Sequence, residues 1–237
     1  MNVILIAGHG AGDPGAVGNG YKEADLTREV VALVKQRLAK YVTVDIADTS
    51  KNWYDHIFKK GGEFNFRPYN YALEVHFNAG ASDSTGNGKT TGVEAYVTTS
   101  EKGVTVEEKI VDCIGAIGFR NRGVKYKNFG LIDYIKRQGV SAALLEVCFI
   151  DDKDDMALYT EKKNQIADAI VKGIVEGFGL KVEEEPEPVA KAVPGEWAKA
   201  SFEKATAKGI LDGTNPQGVV TREMMAVVLD RLGLLDK

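Results

Sequence analysis

Two of the three histidines in this chain, His9 and His76, stand at the ends of apolar runs. His9 follows residues 3–7 and is flanked by glycines, and His76 lies near the end of residues 71–78. An imidazole at the tip of a core strand reaches a cleft while the sheet fixes its backbone, as a metal ligand or a catalytic base requires. The alternative for His9 is a turn histidine without a chemical role.

Three carboxylates have positions that suit partners of these histidines. Glu146 interrupts the apolar run 141–150, and a lone carboxylate in a buried strand is costly unless it is paired or bound to a metal. Glu74 precedes His76 by two residues and therefore shares its face of a strand, where it either orients the imidazole or is solvated. Glu23 begins the next helix after His9, although the helix dipole alone also favours a carboxylate there.

The remaining candidates are less well defined by the sequence. His56 lies in the polar, aromatic segment 49–68, which we interpret as a loop with some helix, so we prefer His9 and His76 as metal ligands. With only two cysteines, a cysteine-rich zinc site is excluded, and any metal must be held by histidines and carboxylates. The basic cluster 120–125 suits an anionic substrate group or, alternatively, is a solvated face.

Strands and helices alternate along the first 180 residues. Strands are predicted at 3–7, 43–47, 71–78, 92–97, 131–135 and 141–150, and helices at 26–41, 104–118 and 162–178; residues 151–155 read as a solvated acidic loop. This order predicts an α/β fold with a mostly parallel twisted sheet flanked by helices. Ligands bind such sheets at the carboxyl ends of the strands, which is where His9, His76 and Glu146 are expected.

At 237 residues the chain is long enough for two units. We predict a first domain at 1–180, an acidic, proline-spaced linker at 181–194, and a small helical domain at 195–237. About forty residues make a marginal core, so the small domain needs a partner surface or a second copy.

Composition excludes several classes of function. A formal charge of −4 argues against a nucleic-acid partner. The apolar runs are too short for a membrane span, and the beginning of the chain lacks the basic region of a signal peptide, so we expect synthesis in the cytoplasm. The oligomeric state is not indicated.

The four site residues together carry a resemblance to a known family. Glycine-flanked His9, Glu23, His76 in His-Phe-Asn-Ala and Glu146 in Leu-Leu-Glu-Val resemble the zinc-dependent N-acetylmuramoyl-L-alanine amidases of the amidase-3 type, over about residues 1–180. The resemblance implies that His9, Glu23 and His76 bind one zinc ion and that Glu146 is the catalytic carboxylate.

The same resemblance extends to the substrate, which would be peptidoglycan of the bacterial cell wall. The predicted substrate-binding residues are Asn78, which belongs to the His-Phe-Asn-Ala motif, and Arg120 and Arg122, which belong to 120–125, a stretch similar to the family's basic segment. Glu74 departs from the family pattern, since many members have a small or hydroxylic residue there; its candidate role of orienting His76 rests on the shared strand face alone.

The end of the chain resembles a single S-layer-homology repeat, which predicts wall binding in preference to a dimerisation or purely structural role. An amidase joined to a small wall-binding tail is similar to bacteriophage endolysins, so we expect action on the wall after release, with lysis of the host cell. Two other functions stay open: a zinc peptidase that cuts within the stem peptide, and a wall-binding protein without turnover.

Overall fold

The computed structural model describes residues 1–180, 194–211 and 222–235. Contacts divide the chain into two compact units, Met1–Lys181 and Val182–Lys237. Apart from Pro194, the predicted linker 181–194 lies outside the described residues, so its character stays a prediction.

A six-stranded sheet forms the centre of the first unit. The strands are β1 (Asn2–Ala7), β4 (Thr43–Ile46), β5 (Tyr71–Asn78), β6 (Val93–Val97), β7 (Asn121–Tyr126) and β8 (Ser141–Phe149), and a small hairpin contains β2 (Val17–Gly18) and β3 (Tyr21–Lys22). The strand order is β4-β1-β5-β8-β6-β7, and every neighbouring pair is parallel except β6 with β8. The predicted mostly parallel α/β fold is therefore confirmed.

Helices cover both faces of this sheet. They are α1 (Glu23–Leu38), α2 (Thr105–Ala116), α3 (Gly130–Arg137) and α4 (Lys153–Gly177). Alternate residues of each strand point to opposite faces, so Val3 and Leu5 pack in the core under α1, α2 and α4, whereas Ile4 and Ile6 pack in a second core. That second core is closed by α3 and by aromatic residues of 53–66.

The strand predicted at 131–135 is wrong, because this segment belongs to α3. Leu131, Ile132 and Ile135 are buried at helical spacing against the second core. A short apolar run satisfies a strand or a helix equally well, and only its tertiary neighbours decide. The strand lies earlier, at β7, so Arg122 and Lys125 stand on an edge strand of the sheet rather than in a loop.

The prediction of a solvated acidic loop at 151–155 is also wrong. Asp152 and Asp155 are fully buried, and α4 already begins at Lys153. The Asp152 carboxylate caps this helix by accepting the N–H groups of Asp154 and Asp155. Buried carboxylates are tolerated here because backbone donors satisfy them.

These aspartates also hold the loop that follows β5. Asp151 accepts backbone N–H groups from residues 80–82, Asp154 accepts them from residues 87–89, and Asp155 accepts that of Gly92. The loop between β5 and β6 is therefore tied at its beginning, middle and end to the start of α4.

The second unit contains α5 (Lys199–Ala207) and α6 (Arg222–Arg231). Much of the segment that carries the S-layer resemblance lies outside the described residues. Over the described ranges of the whole chain, no helix is long and apolar enough to cross a membrane.

Candidate metal centre

His9, Glu23 and His76 meet at the carboxyl ends of β1 and β5. His9 Nε2 lies 3.1 Å from one Glu23 oxygen, and His76 Nδ1 lies 2.9 Å from the other. One potential ligand atom from each residue lies within 4.8 Å of the other two. The first residue of α1 thus stands between two strand ends, and its carboxylate joins the two imidazoles.

Glycines make room for this arrangement. A Cβ at Gly8 would lie 2.4 Å from the His76 ring, and a Cβ at Gly15 would lie 2.6 Å from the Glu23 carboxylate. His9 itself has a φ of 60°, which the flanking glycine turn accommodates. The glycine-rich loop therefore turns the chain and also leaves the space that the His76 ring and the Glu23 carboxylate occupy.

The Glu23 carboxylate and the imidazoles of His9 and His76 favour each other's charged forms. Burial by itself would raise the pKa of Glu23, but hydrogen bonds from His76 and His9 lower it well below its ordinary value. Burial opposes protonation of His76, yet Glu74 and Glu23 raise its pKa well above the ordinary value. Glu23 is consequently an ionised carboxylate in the interior.

Each imidazole has a second carboxylate on its outer nitrogen. His9 Nδ1 lies 2.9 Å from Asp13 Oδ2, and His76 Nε2 lies 3.0 Å from Glu74 Oε1. Asn52 donates a further hydrogen bond to Asp13 Oδ2 at 2.9 Å. Metal-binding histidines are oriented in this way, with one nitrogen for the ion and the other held by a carboxylate.

Glu74 therefore lies on the same strand face as His76, as its spacing predicted. Asp13 was missed by the sequence analysis. The available signal was the position of Asp13 four residues after His9 in the same glycine-rich loop. A loop of this composition gives no rule for side-chain direction, so the signal was weak.

The donor set suits zinc. Two imidazole nitrogens and a carboxylate are a common protein ligand set of catalytic zinc, which keeps a further position for water or substrate. His9 and His76 line a cleft of about 250 Å³ together with Glu74, so an ion held by the two imidazoles would lie at this cleft.

Glu146 stands beside this cluster on β8. In the sheet register it is opposite His76 on one side and Glu94 on the other. Its Oε2 atom is buried and has no hydrogen-bond partner among the described residues. Burial raises the pKa of Glu146 to about 7, and nearby carboxylates act in the same direction while His76 opposes them. This carboxyl group can therefore bind and release a proton near neutral pH.

Glu94 organises the polar groups on the far side of Glu146. It is 1% exposed and accepts hydrogen bonds from Tyr96 (2.7 Å), Asn78 (2.8 Å) and Arg122 (2.5 Å), and it pairs with Lys125. These partners lower its pKa although burial opposes the shift. Asn78 and Arg122 are thus brought to the site through Glu94, which the sequence analysis missed. Like Glu146, Glu94 is a lone carboxylate in an apolar strand, and that signal was available.

Arg120 and His56 lie apart from the cluster. The Arg120 side chain is exposed, and its backbone carbonyl accepts the N–H of Val93. It borders a shallow cavity with Asn87 and residues 89–91 rather than the cleft of the histidines. The His56 ring packs edge-on against Trp53, with 5.3 Å between ring centroids, and is not one of the three residues that meet at Glu23.

Comparison with known proteins identifies the family. The sequence pattern of the amidase-3 family, N-acetylmuramoyl-L-alanine amidase, matches residues 3–176. The chain belongs to this family. Residues 3–176 accordingly form an amidase domain of the hydrolase class, and the family predicted from the four site residues is confirmed.

Individual relatives agree with this assignment. The chain is 31% identical over 189 residues to the endolysin of Bacillus phage SPP1, covering 76% of this chain and 66% of that protein. It is 27% identical over 176 residues to the N-acetylmuramoyl-L-alanine amidase LytC of Bacillus subtilis, covering 73% of this chain and 34% of that protein. The chain thus spans just under two thirds of the endolysin and about one third of LytC.

A solved structure shares the fold of the first unit. The structure of N-acetylmuramoyl-L-alanine amidase AmiC2 of Nostoc punctiforme superimposes with a TM-score of 0.60 at 21% identity, covering 76% of this chain and 97% of that one. At this identity the likeness concerns the fold.

Proposed function

We propose that this protein is a zinc-dependent N-acetylmuramoyl-L-alanine amidase of the endolysin kind. It would hydrolyse the amide between the lactyl group of N-acetylmuramic acid and the L-alanine of the stem peptide. Family membership supports the reaction, and the meeting of His9, Glu23 and His76 beside Glu146 supports the metal dependence.

The proposed zinc ligands are His9 Nε2, the Glu23 carboxylate and His76 Nδ1. When bound, zinc supplies Lewis-acid chemistry that polarises a carbonyl group and lowers the pKa of water. Asp13 and Glu74 hold the two imidazoles in the required orientation through their outer nitrogens.

Glu146 moves the proton in this proposal. It takes a proton from water as the water oxygen bonds to the lactyl carbonyl carbon. The bond between that carbon and the alanine nitrogen then breaks, and Glu146 gives the proton to the nitrogen, which leaves as a free amine. A carboxyl group that accepts a proton and then donates it within one cycle acts first as general base and then as general acid.

For the second unit we propose wall anchoring, as the S-layer resemblance indicates. Trp197 is 94% exposed, and Val227, Leu232 and Leu235 are each about half exposed, so this unit presents apolar groups to a partner. Anchoring would raise the concentration of the enzyme at its insoluble substrate. Removal of residues 181–237 should reduce sedimentation with purified walls, and undiminished sedimentation would refute anchoring.

The observation that carries the proposed reaction is the buried, unpaired Glu146 oxygen in register with His76. The test combines metal analysis of the purified protein with mass analysis of wall digests. We expect one zinc per chain and new free amines on L-alanine. New termini further along the stem peptide would identify a peptidase instead, and bound zinc without any amine release would identify a binding protein.

A further inference from the structure

Two exposed aromatic rings stand beside the cleft of the metal centre. Tyr54 is 49% exposed and Phe58 is 43% exposed, and their ring centroids lie 5.0 Å apart. Tyr54 lines the same cleft as His9 and His76. Two large apolar side chains exposed together beside a reaction site indicate a contact surface for a ligand.

The structure holds this aromatic pair in place. Both rings pack over Gly130, where a Cβ would lie 2.8 Å from Tyr54 and 3.2 Å from Phe58. The Phe58 ring also packs edge-on against Tyr134, with 6.1 Å between centroids. A surface that is fixed before binding loses little conformational freedom when a ligand arrives.

Hydrogen bonds connect the aromatic pair to a proposed zinc ligand. Asn52 accepts the backbone N–H of Asp55, at the start of the single π-helical turn Asp55–Lys59 that carries Phe58. The Asn52 amide donates to Asp13, whose carboxylate contacts His9. The pair is therefore positioned relative to the metal centre by a chain of three direct contacts.

The two ends of the strand order offer different chemistry. Charged groups gather around Glu94 on β6 and β7, where Arg122 and Lys125 stand. The aromatic pair belongs to a different part of the structure, the segment that follows β4 at the other edge of the sheet. Lys59 and Asp55, which pair at 2.7 Å, supply polar atoms beside the rings.

The proposed substrate also has two chemically different halves. A stem peptide carries carboxylates, which suit cations. A glycan strand is uncharged along its pyranose rings, whose C–H faces pack on flat aromatic rings while their hydroxyl groups need polar partners. We infer that Tyr54 and Phe58 form a saccharide subsite that binds the glycan strand next to the scissile bond. This inference rests on the proposed function, because it deepens the substrate of the same site.

A peptide-free sugar tests the subsite without any hydrolysis. The probe is the tetrasaccharide of β-1,4-linked N-acetylglucosamine, titrated into the full chain and followed by NMR at the backbone amides of Lys59 and Gly130. Local signals distinguish the cleft from any sugar binding by the second unit. We expect saturable shifts, and an increase in Kd of about tenfold or more when both aromatic rings are removed.

Three variants make the result specific. Y54A/F58A removes the aromatic pair, and Y54L/F58L keeps apolar volume over Gly130 but removes the flat rings. Y126A is the matched control, because Tyr126 is 55% exposed on the edge strand β7. We expect both double variants to lose binding alike, while Y126A binds as the unmodified chain does.

Several outcomes would overturn the inference: an unmodified chain that shows no saturable shift, double variants that bind as well as Y126A, or leucine variants that retain binding. The inference would also be refuted if the double variants bound a sugar-free stem peptide more weakly and the sugar as before, because the aromatic pair would then bind the peptide. Failure of the proposed function is a separate result. If the unmodified chain releases no amines from walls but still binds the sugar, and Y54A/F58A does not bind it, the amidase is rejected and the saccharide subsite is kept.

Discussion

The substitution of Glu146 by glutamine tests both the chemistry and the electrostatics of the site. Glutamine keeps the volume of the side chain but cannot take a proton from water. General acid–base groups contribute about 10²- to 10⁴-fold to rate, so E146Q should lose about that factor in the release of L-alanine amines from walls. Zinc content should remain at one ion per chain, because the proposed ligands are His9, Glu23 and His76.

The same substitution should stabilise the metal-free protein at alkaline pH. Burial raises the pKa of Glu146 from its ordinary 4.5 to about 7, so the folded state retains a proton that the unfolded state has lost. The ionised form therefore lowers the free energy of unfolding, by about 3 kcal/mol at pH 8. This cost is absent well below pH 4.5, develops between pH 4.5 and about 7, and is constant at higher pH. At pH 5 it is only about 1 kcal/mol. E146Q removes it.

The assay is urea unfolding of metal-free protein at pH 5 and pH 8, compared with E108Q, a substitution of an exposed glutamate on α2. E146Q should exceed the unmodified chain in stability more at pH 8 than at pH 5, while E108Q should not change with pH in this way. Equal stability gains at both pH values would refute the burial argument. Wall hydrolysis by E146Q at the normal rate would remove Glu146 from the mechanism, and loss of zinc would assign it to the metal site.

Three further predictions concern the surroundings of the site. D13A should weaken zinc binding by about 10- to 100-fold in a chelator competition, because His9 loses its outer partner; unchanged affinity would show that Asp13 does not orient the ligand. Gly92 has a φ of 101°, and a Cβ there would lie 1.9 Å from the Arg120 carbonyl oxygen. G92A should therefore lower the free energy of unfolding, measured with urea, by more than ~1 kcal/mol. Burial opposes ionisation of Asp151, but the N–H groups of residues 80–82 lower its pKa, so its contribution is present above pH 4 and lost as the pH falls. D151N should cost about 1–2 kcal/mol at neutral pH and increase hydrogen exchange at Gly80, and the difference should shrink in acid.

The sequence was most informative where side-chain periodicity was long and unambiguous. Runs such as 71–78 and 141–150 predicted buried strands, and the carboxyl ends of parallel strands meet at one end of a sheet. The placement of His76 and Glu146 on neighbouring strands follows from that rule together with strand order, although the sequence alone does not state that β5 and β8 are neighbours.

Short or polar segments were predicted poorly, for a common physical reason. Leu131, Ile132 and Ile135 fit a strand as well as a helix until the second core selects the helix. Asp152 and Asp155 are charged residues, which local rules place in water, and their burial is tolerable because a distant loop adds N–H donors to the local ones of the helix start.

What the sequence determined by itself was an inventory: few histidines, lone carboxylates in apolar strands, and enough alternating elements to build a parallel sheet. Tertiary structure decided which nitrogen of each imidazole faces Glu23, which carboxylate holds the other nitrogen, and that Glu94 gathers Asn78 and Arg122. The contacts of Glu23 with His76 and of Glu94 with Asn78 and Arg122 join residues that are distant along the chain, and even the local pairs His9–Asp13 and Glu74–His76 depend on side-chain direction. Their geometry depends on strand order and side-chain direction, which exist only once the sheet has formed.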